Sequence, residues 1–508
     1  MSKALAAGVG LVSAANMLGG VLNLLLVVSL TRLLPKSDFA AIAFIYMLFT
    51  LVSTIGTLGL PSALLFYVPK LSSSASRHLS LWLGGLLTLI SIPIALSLVW
   101  IGPLLTSQFT IPDQRYVFSV VALALIFDFS GQTLTGYLLA KERYGSTAFV
   151  TSLFVITRYL GLIIPAYLGY GLEGMVWGLC LTTALRSLGF FIYTGLIESG
   201  TRNAETRAEW RTKDLFSYGI PLSLSNVVGR LNVQADKYMI AALTSAEVYA
   251  IYHVGALEVP LVATLAYSVT RALMPSLVTA HDQGENERFI ILWHTSIIKV
   301  STIILPVFAF LMFFAESLIT LIFSEGYQDA CVPFRVYLCL LPLRLCAYGA
   351  VLRSMGATKP VLSSTILSLL INVALNYPLY LWLGLSGPAT ASVIAQLFAI
   401  IYLLQVIRSK FQITWSQVFP LASILRGLLI AMVSALACSY LSSEVFTDLF
   451  PSPTDSLNAS ILLGTAAVLY LCIYLPLGWR AGFISTGDLK TIWSWLSLQS
   501  LRHGLKRL

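Results

Sequence analysis

The stretch SYGIPLSLSNVVGRLNVQADKYMIAALTSAEVYAIYHVGALEVPLVATLAYSVTRALMP, from Ser217 to Pro275, decides how the chain is read. Two long apolar segments run through it, yet they carry Arg230, Asp236, Lys237, Glu258 and Arg271. A charged side chain at a bilayer centre costs about 2.5–3.5 kcal/mol even on the lenient insertion scale, so such groups line a cavity or pair with one another. On the first segment Ser223, Asn226, Arg230, Gln234 and Lys237 recur every three or four residues, which puts them on one helical face. That face is expected to be wet. On the second, Thr264, Ser268 and Arg271 repeat the pattern, and Pro260, just after Glu258, removes a backbone donor and favours a bend.

The rest of the chain has the composition of a membrane protein. Of 508 residues 57% are hydrophobic and only 10% charged, with a mean hydropathy of +0.85. A formal charge of +9 by itself suits nucleic acid, but most basic residues sit in short connections between apolar runs, where they orient a membrane protein. No nucleic-acid partner is expected. The six cysteines, Cys180, Cys331, Cys339, Cys346, Cys438 and Cys472, lie in or beside apolar segments without metal-ligand or redox spacing, and read as buried, inert thiols. The five histidines are scattered and there is no phosphate-binding glycine loop, so neither a metal site, nor a cofactor, nor an ATPase is indicated.

Apolar runs long enough to cross a bilayer lie near 5–33, 39–68, 79–101, 116–140, 146–169 and 174–197. After a polar connection from Glu198 to Asp214 they resume near 215–243, 247–277, 289–315, 329–355, 361–383 and 387–407, with two more near 420–442 and 457–478. The expectation is an all-α polytopic protein of about fourteen transmembrane helices: a six-helix lobe over 1–197, a cytoplasmic linker over 198–214, a second six-helix lobe over 215–408, two additional helices within 409–478, and a basic, amphipathic tail over 479–508. With both termini cytoplasmic, only Arg32, Lys36, Arg115 and Arg335 face outside, seven basic residues lie within spans, and the remainder of the 31 face the cytoplasm. The opposite orientation exports the Arg202–Lys213 cluster and the basic tail, against the positive-inside rule.

The two sets of six look like copies. GVLN at Gly20–Asn23 matches GRLN at Gly229–Asn232, and LLPKSDFAAI from Leu33 matches ALTSAEVYAI from Ala242 at the same offset of 209. PAYLGYGLEG from Pro165 matches PLYLWLGLSG from Pro378 at an offset of 213. Six spans per copy bring each copy back to the same side, giving parallel repeats with a substrate site expected between them. Arg230, Asp236 and Lys237 fall opposite Val21, Val27 and Val28, so the fold itself does not call for those charges.

The runs LTRLLPKSDFAAIAFIYMLFTLVSTIGTLGLPSALLFYVPK, DKYMIAALTSAEVYAIY from Asp236, and MGATKPVLSSTILSLLINVALNYPLYLWLGLSGPATASVIAQ from Met355 resemble bacterial and archaeal polysaccharide exporters of the multidrug, oligosaccharidyl-lipid and polysaccharide flippase superfamily. The resemblance covers roughly Leu5 to Arg408. It implies two six-helix lobes around a central cationic cavity, alternately open to either side of the cell membrane, moving a polyprenyl-diphosphate-linked oligosaccharide, with membrane lipids and glycan assembly enzymes as partners. One departure matters: the branch that flips the peptidoglycan precursor carries basic residues in its first two spans, where this chain has Asn16, Asn23 and then Arg32 only at the outer end. A surface glycan precursor therefore ranks above the peptidoglycan one.

The charges within the spans agree with that class. Arg158, Arg186, Arg230, Lys237, Arg271, Lys299 and Arg344 outnumber Asp128, Asp236 and Glu258 by four, and a cationic cavity suits an anionic substrate. Arginine grips phosphate oxygens with two nitrogens and lysine as a point charge. Lys299 shares a helical face with Thr295 and Thr302, and Arg344 with Tyr337 and Tyr348, hydroxyls and rings that suit sugar. Asn372 and Asn376, one turn apart, hydrogen-bond either sugar or a neighbouring helix. The candidate substrate-binding residues are thus Arg230, Arg158, Lys299, Arg344, Arg271, Lys237, Asn372 and Asn376, and the candidates for ion coupling Glu258, Asp128 and Asp236. Against these stand snorkelling for Arg186 and Arg271 near the cytoplasmic ends, and structural ion pairs of Asp236 and Lys237 with other spans. Two rival functions remain: a membrane glycan polymerase or ligase, which needs a larger outside loop than Ser442–Leu457, and an ion-coupled drug exporter of the same superfamily, whose cationic cargo the charge surplus opposes.

Overall fold

A computed structural model describes residues 3–196, 210–259, 273, 276–355, 357–449 and 456–487. The apolar runs fold as helices because in lipid each backbone N–H and C=O must find its partner within its own segment. No strand occurs among the described residues, and twelve of their helical segments are long and apolar enough to cross a membrane. The protein is an all-α, multi-pass membrane protein. Arg271 with residues 260–272, 274 and 275 of the run expected at 247–277, most of the 198–214 linker, residues 450–455 of the Ser442–Leu457 connection and the tail past residue 487 lie outside the described residues.

The chain forms two compact units. The first comprises Met1–Val254 with Asn372–Pro378. It contains α1 (Lys3–Leu33), α2 (Lys36–Gly56), α3 (Leu60–Tyr67), α4 (Ser73–Leu105), α5 (Gln114–Ala140), α6 (Tyr144–Tyr167), α7 (Gly171–Gly195), α8 (Thr212–Leu243) and α9 (Ala246–Gly255). Helix α5 is its axis: Val117, Phe118, Val121, Leu125 and Phe129 are buried, and α4 and α7 pack along it. Helices α6 and α7 cross at Gly161 and Gly178, where a Cβ on Gly178 would stand 1.6 Å from the Gly161 carbonyl oxygen. Small residues at such a crossing let two backbones touch.

The run expected as one span over 39–68 is two helices. Helix α2 stops at Gly56, Leu58 and Gly59 take φ of 51° and 66°, and α3 begins at Leu60. Hydropathy cannot register this break, because the residues that make it are themselves small or apolar. The left-handed backbone favours glycine at position 59, and so does the neighbour: a Cβ there would lie 2.6 Å from the Gly219 carbonyl oxygen on α8. Helix α9 is seated by rings, with Tyr249 edge-on to Phe44 and Phe109 at 6.0 and 5.7 Å and those two stacked at 5.1 Å.

The second unit runs from Gly255 to Ile371 and resumes at Leu379. Its helices are α10 (Asn286–Phe313), α11 (Ala315–Phe323), α12 (Cys331–Leu338), α13 (Tyr348–Ser354), α14 (Lys359–Leu383, of which Asn372–Pro378 groups with the first unit), α15 (Ser386–Phe411), α16 (Leu421–Leu449) and α17 (Ser456–Arg480). The pair α16 and α17 is built into this unit: α16 packs on α10, and the Tyr474 hydroxyl donates to the Thr302 carbonyl at 3.1 Å. The run expected as one span over 329–355 is fragmented, with helix over Cys331–Leu338, a single turn over Leu340–Leu343, a break from Arg344 to Ala347, and helix again from Tyr348. Pro342 within the short turn lacks the backbone donor that would continue the ladder. Buried Trp293 reaches this break, its Nε1–H donating to Cys346 Sγ at 3.3 Å. None of the six cysteines forms a disulfide; four are buried, Cys339 is half-buried and Cys472 exposed.

Candidate functional site

In the first unit, the break after α2 lies beside a buried polar cluster. Asp128 of α5 is 4% exposed, and its Oδ2 accepts from Ser53 Oγ at 2.6 Å and Gln132 Nε2 at 2.7 Å. Arg186 of α7 approaches Oδ1 at 3.4 Å, donates to Thr135 Oγ1 at 3.3 Å, and lies 4.2 Å from the Phe154 ring centroid. The glycine at 131 makes room, since a Cβ there would meet Arg186 Cγ at 3.0 Å. Arg186, expected either to snorkel or to line a cavity, instead turns inward to a carboxylate. Charge inside a low-dielectric span is tolerated when paired and hydrogen-bonded; the carboxylate here is both, while Arg186 Nε is buried without a partner among the described residues.

Arg158 of α6 donates to the Tyr46 hydroxyl and sits 5.3 Å from that ring's centroid, a cation–π contact. Its Nε is buried without a partner among the described residues.

On α8 the polar stripe is not uniformly wet. Asn226 is exposed, Arg230 and Gln234 are half-buried, and Ser223 and Lys237 are buried. Among the described residues Arg230 and Lys237 form no ion pair. Asp236 takes the Tyr252 hydroxyl on Oδ2 at 2.7 Å and the Lys237 backbone N–H on Oδ1 at 2.8 Å. Its hydrogen-bonding partner across the helix junction is therefore a phenol of α9. Asn372 and Asn376 are buried on α14, the second donating to the first at 2.9 Å.

In the second unit Glu258 and Arg344, 86 residues apart, meet at 2.9 Å through both oxygens and two nitrogens. They share the wall of a small, partly open cleft with Tyr337. The face expected to unite Arg344 with Tyr337 and Tyr348 is interrupted, because the chain breaks between Arg344 and Tyr348. Lys299 is exposed on α10, and the Thr295 and Thr302 hydroxyls beside it donate to the Ile291 and Lys299 carbonyls of their own helix.

The partners Tyr46, Ser53, Gln132 and Tyr252 were not singled out in the sequence. Gln132 had a signal, standing four residues after Asp128 on one helical face. Ser53, Tyr46 and Tyr252 had none, since only the packing of separate helices brings them to their charges.

The description "Polysaccharide biosynthesis protein" belongs to a family that matches residues 29–332, more than half of the chain. A Rhizobium meliloti (strain 1021) protein named "Probable lipid II flippase MurJ" is 21% identical over 420 residues, spanning 77% of each chain. Among solved structures, a lipid II flippase MurJ in an inward closed conformation superposes with a TM-score of 0.70 at 15% identity, covering 92% of this chain and 99% of that one. An inward-facing multidrug resistance MATE family transporter of the MOP superfamily superposes with a TM-score of 0.59 at 16% identity, covering 78% and 94%. At such identities the likeness is one of fold.

Proposed function

Because the chain belongs to the polysaccharide biosynthesis protein family, we propose that it is a flippase moving a polyprenyl-diphosphate-linked oligosaccharide across the cytoplasmic membrane by alternating access. The observation that carries this reading is the state of the charges within the apolar helices. Asp128 and Asp236 are engaged by groups of the protein itself, while Arg158, Arg230, Lys237 and Lys299 form no ion pair among the described residues. An excess of cations at membrane depth is costly until an anion joins it, and a diphosphate offers the oxygens that arginine grips best.

In this reading 1–197 and 215–408 are the two moving lobes, both termini are cytoplasmic, and the enzymes that build the glycan deliver and collect it. Arg230 and Arg158 are the first candidates for the phosphate grip, joined by Lys299, Arg344, Arg271 and Lys237. Asn372 and Asn376 hold helices as much as ligand. Of the carboxylates, Glu258 is the one exposed enough to take part in coupling. The protein carries out transport and no bond chemistry of its own.

The test is reconstitution into proteoliposomes with a fluorescent lipid-linked oligosaccharide, lipid II, and a cationic dye as separate cargoes. Flipping of the oligosaccharide, lost in Arg230→Ala, is the expected result. Transport of the dye alone would replace this reading with that of a drug exporter, and of lipid II alone with that of a peptidoglycan precursor flippase.

A further inference from the structure

Among the described residues, two guanidinium–carboxylate pairs stand within the apolar segments, and they differ in burial. The Asp128 side chain is 6% exposed and is held by Ser53 and Gln132 as well as by Arg186 at 3.4 Å. Arg344 and Glu258 are 27% and 36% exposed, and meet edge to edge, Nη1 on Oε2 and Nη2 on Oε1, both at 2.9 Å. Neither of them lies in a regular helix. Glu258 is in the non-helical stretch Leu257–Val259 after α9, and Arg344 opens the break before α13. The stretch is anchored at its start, where a Cβ on Gly255 would stand 2.7 Å from the Ala330 carbonyl oxygen and 2.6 Å from Pro333. Three residues further on, Glu258 and Arg344 join the cleft wall with Leu257, Tyr337 and Leu341.

A carboxylate and a phosphate present the same two-oxygen edge to a guanidinium. A half-exposed ion pair at the wall of a cleft opens more readily than a buried one; where water screens it, it is worth a factor of about five at most in an equilibrium constant, and a diphosphate carries more negative charge than the carboxylate it would displace. We propose that Glu258 is a resident counter-anion on Arg344 that a phosphate oxyanion of the lipid-linked substrate replaces, and that the exchange frees Leu257–Val259 from the cleft wall. The exchange rests on the reading of the cargo as a lipid diphosphate. It gives Glu258 a specificity role: a neutral or cationic head group cannot take its place, so the stretch stays fastened. Asp128, buried under three partners, keeps its arginine throughout.

The experiment uses the full chain in phosphatidylcholine nanodiscs, with farnesyl diphosphate as the probe and farnesol and inorganic pyrophosphate as its controls. Glu258→Gln, which preserves shape and removes the competing charge, is expected to tighten farnesyl diphosphate binding about fivefold over the unmodified chain. Farnesol affinity should not move. With the native pair intact, a cysteine at Leu257→Cys in a chain cleared of its other cysteines should react faster with maleimide once farnesyl diphosphate is added. Binding of farnesyl diphosphate by the unmodified chain with no tightening in Glu258→Gln, or with an unchanged labelling rate at position 257, would overturn the exchange and leave the cargo reading standing. No binding by the unmodified chain would overturn both. Pyrophosphate acting as well as farnesyl diphosphate would overturn the assignment to a lipid head group.

Discussion

Arg186 reaches Asp128 with a single nitrogen at 3.4 Å, a longer and less regular contact than the paired 2.9 Å bonds of Arg344 and Glu258, yet it is the one whose loss strands a buried charge. Distance ranks these pairs one way and burial the other, and burial decides because desolvation dominates the cost of an orphaned ion.

Arg186→Ala is accordingly expected to destabilise the protein by about 3–5 kcal/mol, and Arg344→Ala by about 0–1 kcal/mol. Thermal unfolding in detergent compares the two, and Asp128→Asn added to Arg186→Ala should recover part of the loss. Equal melting temperatures for the two single variants would show that the buried cluster carries no such weight.

Arg230 forms no ion pair among the described residues and is half-buried in the middle of α8. Arg230→Ala should therefore insert and express normally while losing flipping of lipid-linked oligosaccharide. Arg230→Lys should keep part of the rate, since the charge remains and the two-nitrogen geometry is lost. Wild-type transport in Arg230→Ala would move the phosphate grip to Lys299 and Arg344.

The crossing of α6 and α7 leaves no space for a methyl group at Gly178, whereas a Cβ at Gly189 on the same helix would meet nothing within 4 Å. Gly178→Ala should cost about 1–3 kcal/mol or more through forced separation of the helices. Gly189→Ala should be neutral or stabilising by up to about 1 kcal/mol through helix propensity. Yield and melting temperature of the two variants, which differ only in what the new methyl meets, give the answer.

Orientation can be read from two exposed serines, Ser74 before α4's first apolar turn and Ser107 just after that helix ends. In cells, a cysteine at Ser107 should react with an impermeant maleimide from outside, and one at Ser74 only after the membrane is opened. The reverse pattern would refute cytoplasmic termini and the lobe scheme built on them.

What was legible in the sequence was whatever a single segment determines by itself. The spans could be placed because twenty apolar residues announce a crossing without reference to neighbours, and the stripe of Asn226, Arg230 and Gln234 because one helix fixes their common face. The α2–α3 break was hidden, since Thr57, Leu58 and Gly59 read as membrane residues whether or not the helix continues through them. So were the pairings: Asp128 finds Arg186 across 58 residues and Glu258 finds Arg344 across 86. Two charges at membrane depth announce that each needs a partner but not which. The Thr302 hydroxyl is ambiguous for a related reason, because a threonine that donates to its own helix has the same spacing as one that faces a sugar.

The contact between Gly161 and Gly178 also has a mechanical meaning. Two rods touching backbone to backbone at one point behave as scissors, with that point as fulcrum. Arg158 lies three residues from it along α6 and Arg186 eight residues along α7, lever arms of about 4.5 and 12 Å at the helical rise of 1.5 Å per residue. For a given change in the crossing angle, Arg186 moves relative to α6 between two and three times as far as Arg158 moves relative to α7. The arginine that faces Tyr46 and the one clasped to Asp128 thus stand at unequal distances from one crossing, set by a pair of residues that have no side chains at all.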